Sequence, residues 1–134
     1  MMEIKAYQAN HVTDKLYRDY AIMHETTKGE GYSAFIDGQL VASGGIHLIS
    51  KKVGQAWLFI TPLFFQHKTE TYRIIKMLLD KMESSYGLHR IQATITMGHE
   101  MGERFAEHLG FYYEGIMKKF SDDGADHKLY ARVK

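Results

Sequence analysis

Residues 56–96 constrain the fold of this chain more than any other stretch. Ala56 to Thr61 is a continuous apolar run bounded by Gly54 and Pro62, the pattern of a central strand buried on both faces. Tyr72, Ile75, Leu79, Met82 and Tyr86 then recur at intervals of three and four, flanked by Arg73, Lys76, Asp80 and Glu83. Gly87 follows that stripe in the place of a helix C′ residue. Leu88 to Thr96 reads as a second strand, with Ile91, Ala93 and Ile95 alternating. Strand, helix and strand within about forty residues make a βαβ unit, so the two strands are expected to be parallel and the crossover right-handed.

Antiparallel elements flank this unit. Met2 to Tyr7 alternates as a strand, with Ile4 and Ala6 on one side. Val12, Leu16, Tyr20 and Met23 predict one helical stripe that Lys28-Gly29 ends. Tyr32 to Ile36 and Gln39 to Ile49 predict a hairpin closed by Asp37-Gly38, because glycine accepts positive φ in a tight turn. Gly44-Gly45 inside the second arm predicts a bulge or a close approach to the backbone. Met101, Phe105 and Leu109 mark a shorter helix with Gly110 after it, and Phe111 to Phe120 and His127 to Val133 form a last hairpin around Asp122-Asp123-Gly124. The predicted architecture is an α/β (α+β) mixed sheet in the order β-α-β-β-β-α-β-α-β-β, as one domain over residues 1–134.

Composition narrows the function. There is no cysteine, which excludes a disulfide framework and thiolate metal ligation and points to a reducing compartment. A net charge of +1 does not favour nucleic acid or an anionic membrane as partner. Met1-Met2-Glu3-Ile4-Lys5 lacks the charged and apolar regions of a secretory signal, and no apolar run is long enough to span a bilayer. The expectation is a cytoplasmic protein.

The element order and several local motifs resemble the GNAT superfamily of N-acyltransferases. Gly102-Glu103-Arg104-Phe105-Ala106-Glu107-His108-Leu109-Gly110-Phe111, followed by Glu114-Gly115, is similar to that family's last helix running into an "LGF…EG" strand. Trp57 to Pro62 fits a "W-x-x-x-[ST]-P" strand, and Gly124 to Arg132 fits a "G-x-D-x-x-x-Y-A-R" ending. Both resemble the small acetyltransferase-like proteins of tailed phages and prophages, some of them internal virion proteins.

The resemblance implies an acyl-CoA donor, acetyl-CoA, and a primary-amine acceptor. It implies that Phe59, Ile60 and Thr61 line the pantetheine arm where the central strand parts from its parallel neighbour, and that one of their amides stabilises the oxyanion. It places the pyrophosphate at the start of the next helix, among Gln66, His67, Lys68, Thr69 and Thr71, with Thr69 or Thr71 as its cap. The family's glycine-rich [RQ]-x-x-G-x-[GA] motif is absent from Phe65 to Thr71, and Ala106 stands where many relatives carry the tyrosine that protonates the thiolate. His99 aligns with a cofactor-contacting asparagine and Phe105 lies on the same helix. His99 or Glu100 is a substitute acid or base, or simply a first-turn residue.

The remaining candidates have plainer readings beside the functional ones. The eight histidines show no metal-ligand spacing. His47 either lines an acceptor pocket or faces water, and Trp57 reads as core. One of Tyr112 and Tyr113 is expected to face inward. Arg104, Asp126 and Arg132 read as a structural ion-pair set. Two functions follow: an acyl-CoA-dependent N-acyltransferase, possible as a homodimer, or a catalytically inactive fold that binds phage or host proteins, in the host cytoplasm or the virion.

Overall fold

The computed structural model describes residues 2–134, apart from the side chain of Leu16. Met1, and Leu16 as a member of the expected first stripe, therefore lie outside the described set. Seven strands form one sheet in the order β1-β2-β3-β4-β5-β7-β6. They are β1 (Glu3–Ala6), β2 (Gly29–Ile36), β3 (Gln39–Ser50), β4 (Val53–Ile60), β5 (Arg90–Thr96), β6 (Tyr112–Met117) and β7 (His127–Val133). The helices are α1 (Arg18–Thr26), α2 (Lys68–Ser85) and α3 (Glu100–His108). β4 and β5 are parallel and joined through α2, and the other pairings are antiparallel.

The helices α2 and α3 cover one face of the sheet. Leu79 and Met82 of α2 and Ala106 of α3 pack with Ile46, Ile91, Phe111 and Tyr130 of the sheet side, and Leu88 closes the α2–β5 link. Ile91 is fully buried, and Ile46 and Leu88 nearly so. Glu103 fastens α3 to β7: its Oε1 accepts from Lys128 Nζ at 2.8 Å and from the Tyr130 hydroxyl at 2.7 Å. The Asp37-Gly38 turn has φ of 50° and 77°, both positive as a two-residue hairpin turn requires.

The first helix departs from its predicted face. Two 3-10 turns, Ala9–His11 and Lys15–Tyr17, precede α1, and the buried residue of α1 is Ala21. Tyr20 and Met23, expected inside, are 49% and 43% exposed. The inward side instead carries Tyr17, Ala21 and His24, spaced four and three apart. The small Ala21 lets the helix lie close to the sheet, where its carbonyl accepts from the Tyr7 hydroxyl at 2.9 Å.

Other boundaries moved for local reasons. There is no register shift at Gly44-Gly45, where Gly44 pairs with Leu58 and Gly45 with Trp57. Close backbone approach explains the glycine instead, because a Cβ on Gly45 would stand 2.2 Å from the Glu30 carbonyl oxygen. β6 stops at Met117, short of Phe120, because Lys119 adopts a φ of 50°. Arg104, Asp126 and Arg132 are not one ion-pair set. Arg132 bonds Asp80 and Glu83 of α2, Asp126 accepts from the Lys119 amide, and the Arg104 carbonyl partners His108.

Candidate active site

The parallel pair is forked. β4 and β5 align only at Val53–Arg90, Gly54–Ile91 and Gln55–Gln92. Beyond Gln55 the strands part, while β4 stays paired with β3 as far as Ile60 and β5 with β7 as far as Thr96. Each arm of the fork thus presents one backbone edge without a strand partner. The Thr61 amide bonds the Val41 carbonyl at 3.0 Å, so it points away from the fork. Strand alternation then turns the amide of Phe59 the same way and those of Leu58 and Ile60 into the opening. Thr61 is further occupied through its hydroxyl, which donates to the Leu40 carbonyl at 2.7 Å.

A 3-10 turn, Pro62–Gln66, carries the chain from the forked end of β4 to the start of α2. His67 is the N-cap residue, and no side chain caps the helix. The first amides of α2 are therefore available to an anion, with Lys68 and Thr69 exposed beside them. Gln66 is also exposed. Thr71, expected to face the ligand or cap the helix, is buried, and its hydroxyl donates to the His67 carbonyl at 2.7 Å. Glu70 is the acidic residue of the first turn.

At the start of α3, His99 is the N-cap. Its Nδ1 accepts from the Gly102 amide at 2.9 Å, so the imidazole caps the helix through Nδ1 and leaves Nε2 on the far side of the ring. Glycine at 102 keeps this contact open, because a Cβ there would stand 2.2 Å from Nδ1. His99 lies on the rim of a cavity of about 360 Å³ between the fork and the two helices, in the range of small-molecule pockets. Its apolar lining includes Leu58, Ile75, Leu78, Ile95, Phe105 and Ala106. Ala106 is buried and brings no donor to the wall. Phe105 is held edge-on by Phe64 and Tyr72.

The opposite face of β4 carries a group that the sequence reading left unassembled. Trp57 is sandwiched rather than fully buried: Tyr7 meets it edge-on at 4.8 Å, and the His24 ring stacks on it at 4.0 Å and 6°. His24 Nδ1 lies 2.6 Å from His47 Nε2, and His24 Nε2 lies 2.9 Å from the Tyr17 hydroxyl. Tyr17 in turn packs on Phe59 with ring centroids 4.7 Å apart. Burial, reinforced by neighbouring His47, pushes the His24 pKa down to about 4, and burial also lowers that of His47. Burial pushes the Tyr17 hydroxyl up to about 12. Both imidazoles are therefore neutral at pH 7. Of these residues the sequence reading singled out His47, Trp57 and Phe59. Tyr17 and His24 lie seven apart, two helical turns, but the wider stripe through Tyr20 and Met23 hid that face. Tyr112 and Tyr113 point to opposite faces of β6: Tyr113 meets Tyr130 edge-on at 5.9 Å on the helix-covered face while still 51% exposed, and Tyr112, 76% exposed, faces away.

A mixed sheet forked at its parallel pair, with an uncapped helix start beyond the fork, is the frame of an acetyltransferase fold. The chain belongs to the acetyltransferase (GNAT) domain family, whose model matches residues 3–127. Among solved structures it is similar to a GNAT family acetyltransferase from Elizabethkingia anophelis with acetyl-CoA bound, with a TM-score of 0.80 at 12% identity, covering 99% of this chain and 98% of that one. It is also similar to the ribosomal-protein-S18-alanine N-acetyltransferase of Escherichia coli (TM-score 0.77, 14% identity, 99% and 94% covered). A mutant of the spermidine N-acetyltransferase of Vibrio cholerae follows (TM-score 0.74, 13% identity, 98% and 94% covered). A search of curated protein sequences finds no match. At these identities the likeness establishes the fold.

Proposed function

We propose that this chain, acting as one domain over residues 1–134, transfers an acetyl group from acetyl-CoA to a primary amine. The observation that carries the reading is the fork, where the free edges of β4 and β5 open beside a cavity of about 360 Å³. The pantetheine arm would pair with these edges as an added strand does. The Leu58 or Ile60 amide would donate to the thioester oxygen as it gains charge. The start of α2, with Lys68 and Thr69, would face the pyrophosphate. No helix among the described residues is long and apolar enough to cross a membrane.

Thermal unfolding with acetyl-CoA, and with desulfo-CoA and ATP as controls, tests the reading. A ligand at a hundred times its Kd stabilises by about 2.7 kcal/mol, which is several degrees for a domain of this size. A shift specific to acetyl-CoA supports the reading, and no shift at millimolar ligand overturns it. Spermidine and an alanine-initiated peptide are the first acceptors to try, since relatives of the same fold are named for them.

The second reading, a fold kept as a phage or host protein-binding module, draws on Ala106 and on the glycine-free start of α2. It predicts no response to any acyl-CoA.

A further inference from the structure

We infer that Tyr17, His24 and His47 form a proton relay that removes the proton an amine acceptor must lose before it can attack the thioester. The inference rests on the acetyl-transfer reading and adds to it the route of the proton.

Geometry places the relay where an acceptor has to arrive. A donor lying in the fork occupies the side facing α2 and α3, because the cavity and the uncapped helix start are there. The amine must then approach the carbonyl carbon from the other face of β4. On that face the residues flanking Leu58 are Trp57 and Phe59, and the relay lies directly on both. His24 stacks on Trp57 at 4.0 Å and Tyr17 packs on Phe59 at 4.7 Å.

The chain of hydrogen bonds is continuous. Tyr17 Oη reaches His24 Nε2 at 2.9 Å, and His24 Nδ1 reaches His47 Nε2 at 2.6 Å. Each imidazole can accept at one nitrogen while donating from the other. In the polarity in which Tyr17 donates to His24, its oxygen keeps a lone pair to receive an N–H. An ammonium proton passing to that oxygen displaces the hydroxyl proton to His24 Nε2. The Nδ1 proton of His24 moves to His47 Nε2, and His47 releases its Nδ1 proton to solvent. The amine nitrogen, now carrying a lone pair, forms the C–N bond. The C–S bond breaks with its electron pair going to sulfur, and the second N–H proton neutralises the thiolate. The sum is an ammonium and a thioester giving an amide, a thiol and one proton.

The surroundings suit this role. Among the described residues, Tyr7 and Tyr20 act on Tyr17, Tyr7 standing against Trp57 and Tyr20 against Tyr17 with ring centroids 5.7 Å apart, and Glu25 acts on Tyr7 in turn. The lowering of both imidazoles follows from burial, with His47 adding to that of His24. A transferred proton therefore does not stay on His24 but moves outward.

Two measurements test the relay on the whole chain. The first needs no acceptor. Imidazole nitrogen NMR of uniformly labelled protein should show His24 and His47 titrating as a coupled pair, with His47→Gln and Tyr17→Phe each changing the tautomer of His24. Independent titration of the two rings, or a His24 tautomer indifferent to both substitutions, overturns the relay. The second measures acetylation against pH with spermidine and with hydroxylamine, an amine already neutral at pH 7. His24→Gln and His47→Gln should lower kcat/KM for spermidine by about 100-fold at pH 7, the scale of one general base. The loss should shrink as pH rises toward the acceptor's own pKa, and should be at least tenfold smaller with hydroxylamine. Equal losses with both acceptors at every pH assign the histidines a structural role and overturn the relay alone. A wild-type chain that neither binds acetyl-CoA nor acetylates either amine overturns the acetyl-transfer reading and the relay with it.

Discussion

Gln92 Nε2 donates to Gln55 Oε1 across 3.1 Å, and these two residues are also the last backbone pair between β4 and β5. The clasp marks where the sheet changes from a closed ladder to an open fork. It also fixes which amides are free. With the Thr61 amide bonded to Val41, the amide of Phe59 belongs to the β3 ladder and that of Leu58 to the opening. Proline removes one amide donor, so two neighbouring substitutions separate the two roles. Phe59→Pro should cost about 1–3 kcal/mol in urea unfolding, through a lost ladder bond that leaves its β3 carbonyl partner unpaired. Leu58→Pro should cost clearly less, yet lower kcat by about 10²–10³-fold if that amide holds the oxyanion. Equal stability losses would show that the amides alternate otherwise.

The start of α2 makes a separate prediction about donor affinity. Lys68 and Glu70 both sit in its first turn, with opposite effects on a phosphate. Charges at such a terminus act with about 0.3–1 kcal/mol each. Lys68→Ala should therefore weaken CoA binding about two- to fivefold, and Glu70→Gln should strengthen it by a similar factor. Neither should alter binding of pantetheine, which lacks the pyrophosphate. Isothermal titration with the two ligands reads the difference, and equal effects on both would place the pyrophosphate elsewhere.

Ala106 makes a prediction in the direction of gain. It is buried on the cavity wall, at the position where the sequence resemblance implies a proton-donating tyrosine in many relatives. Ala106→Tyr should place a phenol in the cavity at a cost of about 1–3 kcal/mol from overpacking. If protonation of the leaving thiolate limits turnover, kcat should rise at least ~10-fold, toward the usual contribution of a positioned acid. Paired thermal unfolding and thiol-release assays separate the two effects. An unchanged kcat in a folded variant would assign the slow step to something else.

The parts of this molecule legible in its sequence are those with strong periodicity. The stripe from Tyr72 to Tyr86 identified α2 because its single buried face, with Leu79 and Met82 inside, repeats every three or four residues. The apolar run at Ala56 identified β4 because a central strand between two neighbours leaves little room for polar residues. The first helix was misread for the opposite reason. It rests on the sheet through Ala21 and through polar aromatic side chains, so its larger apolar residues, Tyr20 and Met23, face outward. The same misreading concealed the relay, since Tyr17 and His24 meet His47 only once α1 is rotated to that face. The roles of Thr71 and His99 were also beyond the sequence. A threonine four residues after an N-cap either faces solvent or bonds the turn behind it, and only packing against Met2 and the sheet decides.

The neutral imidazoles also predict how stability depends on pH. The His24 pKa lies at about 4 in the folded chain, against 6.5 for an unperturbed ring, and that of His47 is lowered too. The folded state therefore binds protons less readily than the unfolded chain between those values. Stability is fully present above pH 6.5 and is lost as pH falls toward about 4. Because the rings are only about half buried, solvent screening reduces the effect to ~1–2 kcal/mol in all. Asp80, whose pKa burial raises but the hydrogen bonds from Arg132 and Lys76 bring down on balance, acts in a lower window, below its unfolded value near 3.8. Burial lowers the His11 pKa as well, so that ring adds to the loss in the imidazole window and its share persists when His24 and His47 are replaced. Urea unfolding in half-unit steps from pH 7.5 to 4.5 should show the loss in the wild type. A His24→Gln, His47→Gln double variant, though less stable throughout, should show a much flatter profile over the same range. An equal slope in both proteins would mean that the folded imidazoles titrate near 6.5, as in the unfolded chain, and that the stack on Trp57 holds a cation below that pH.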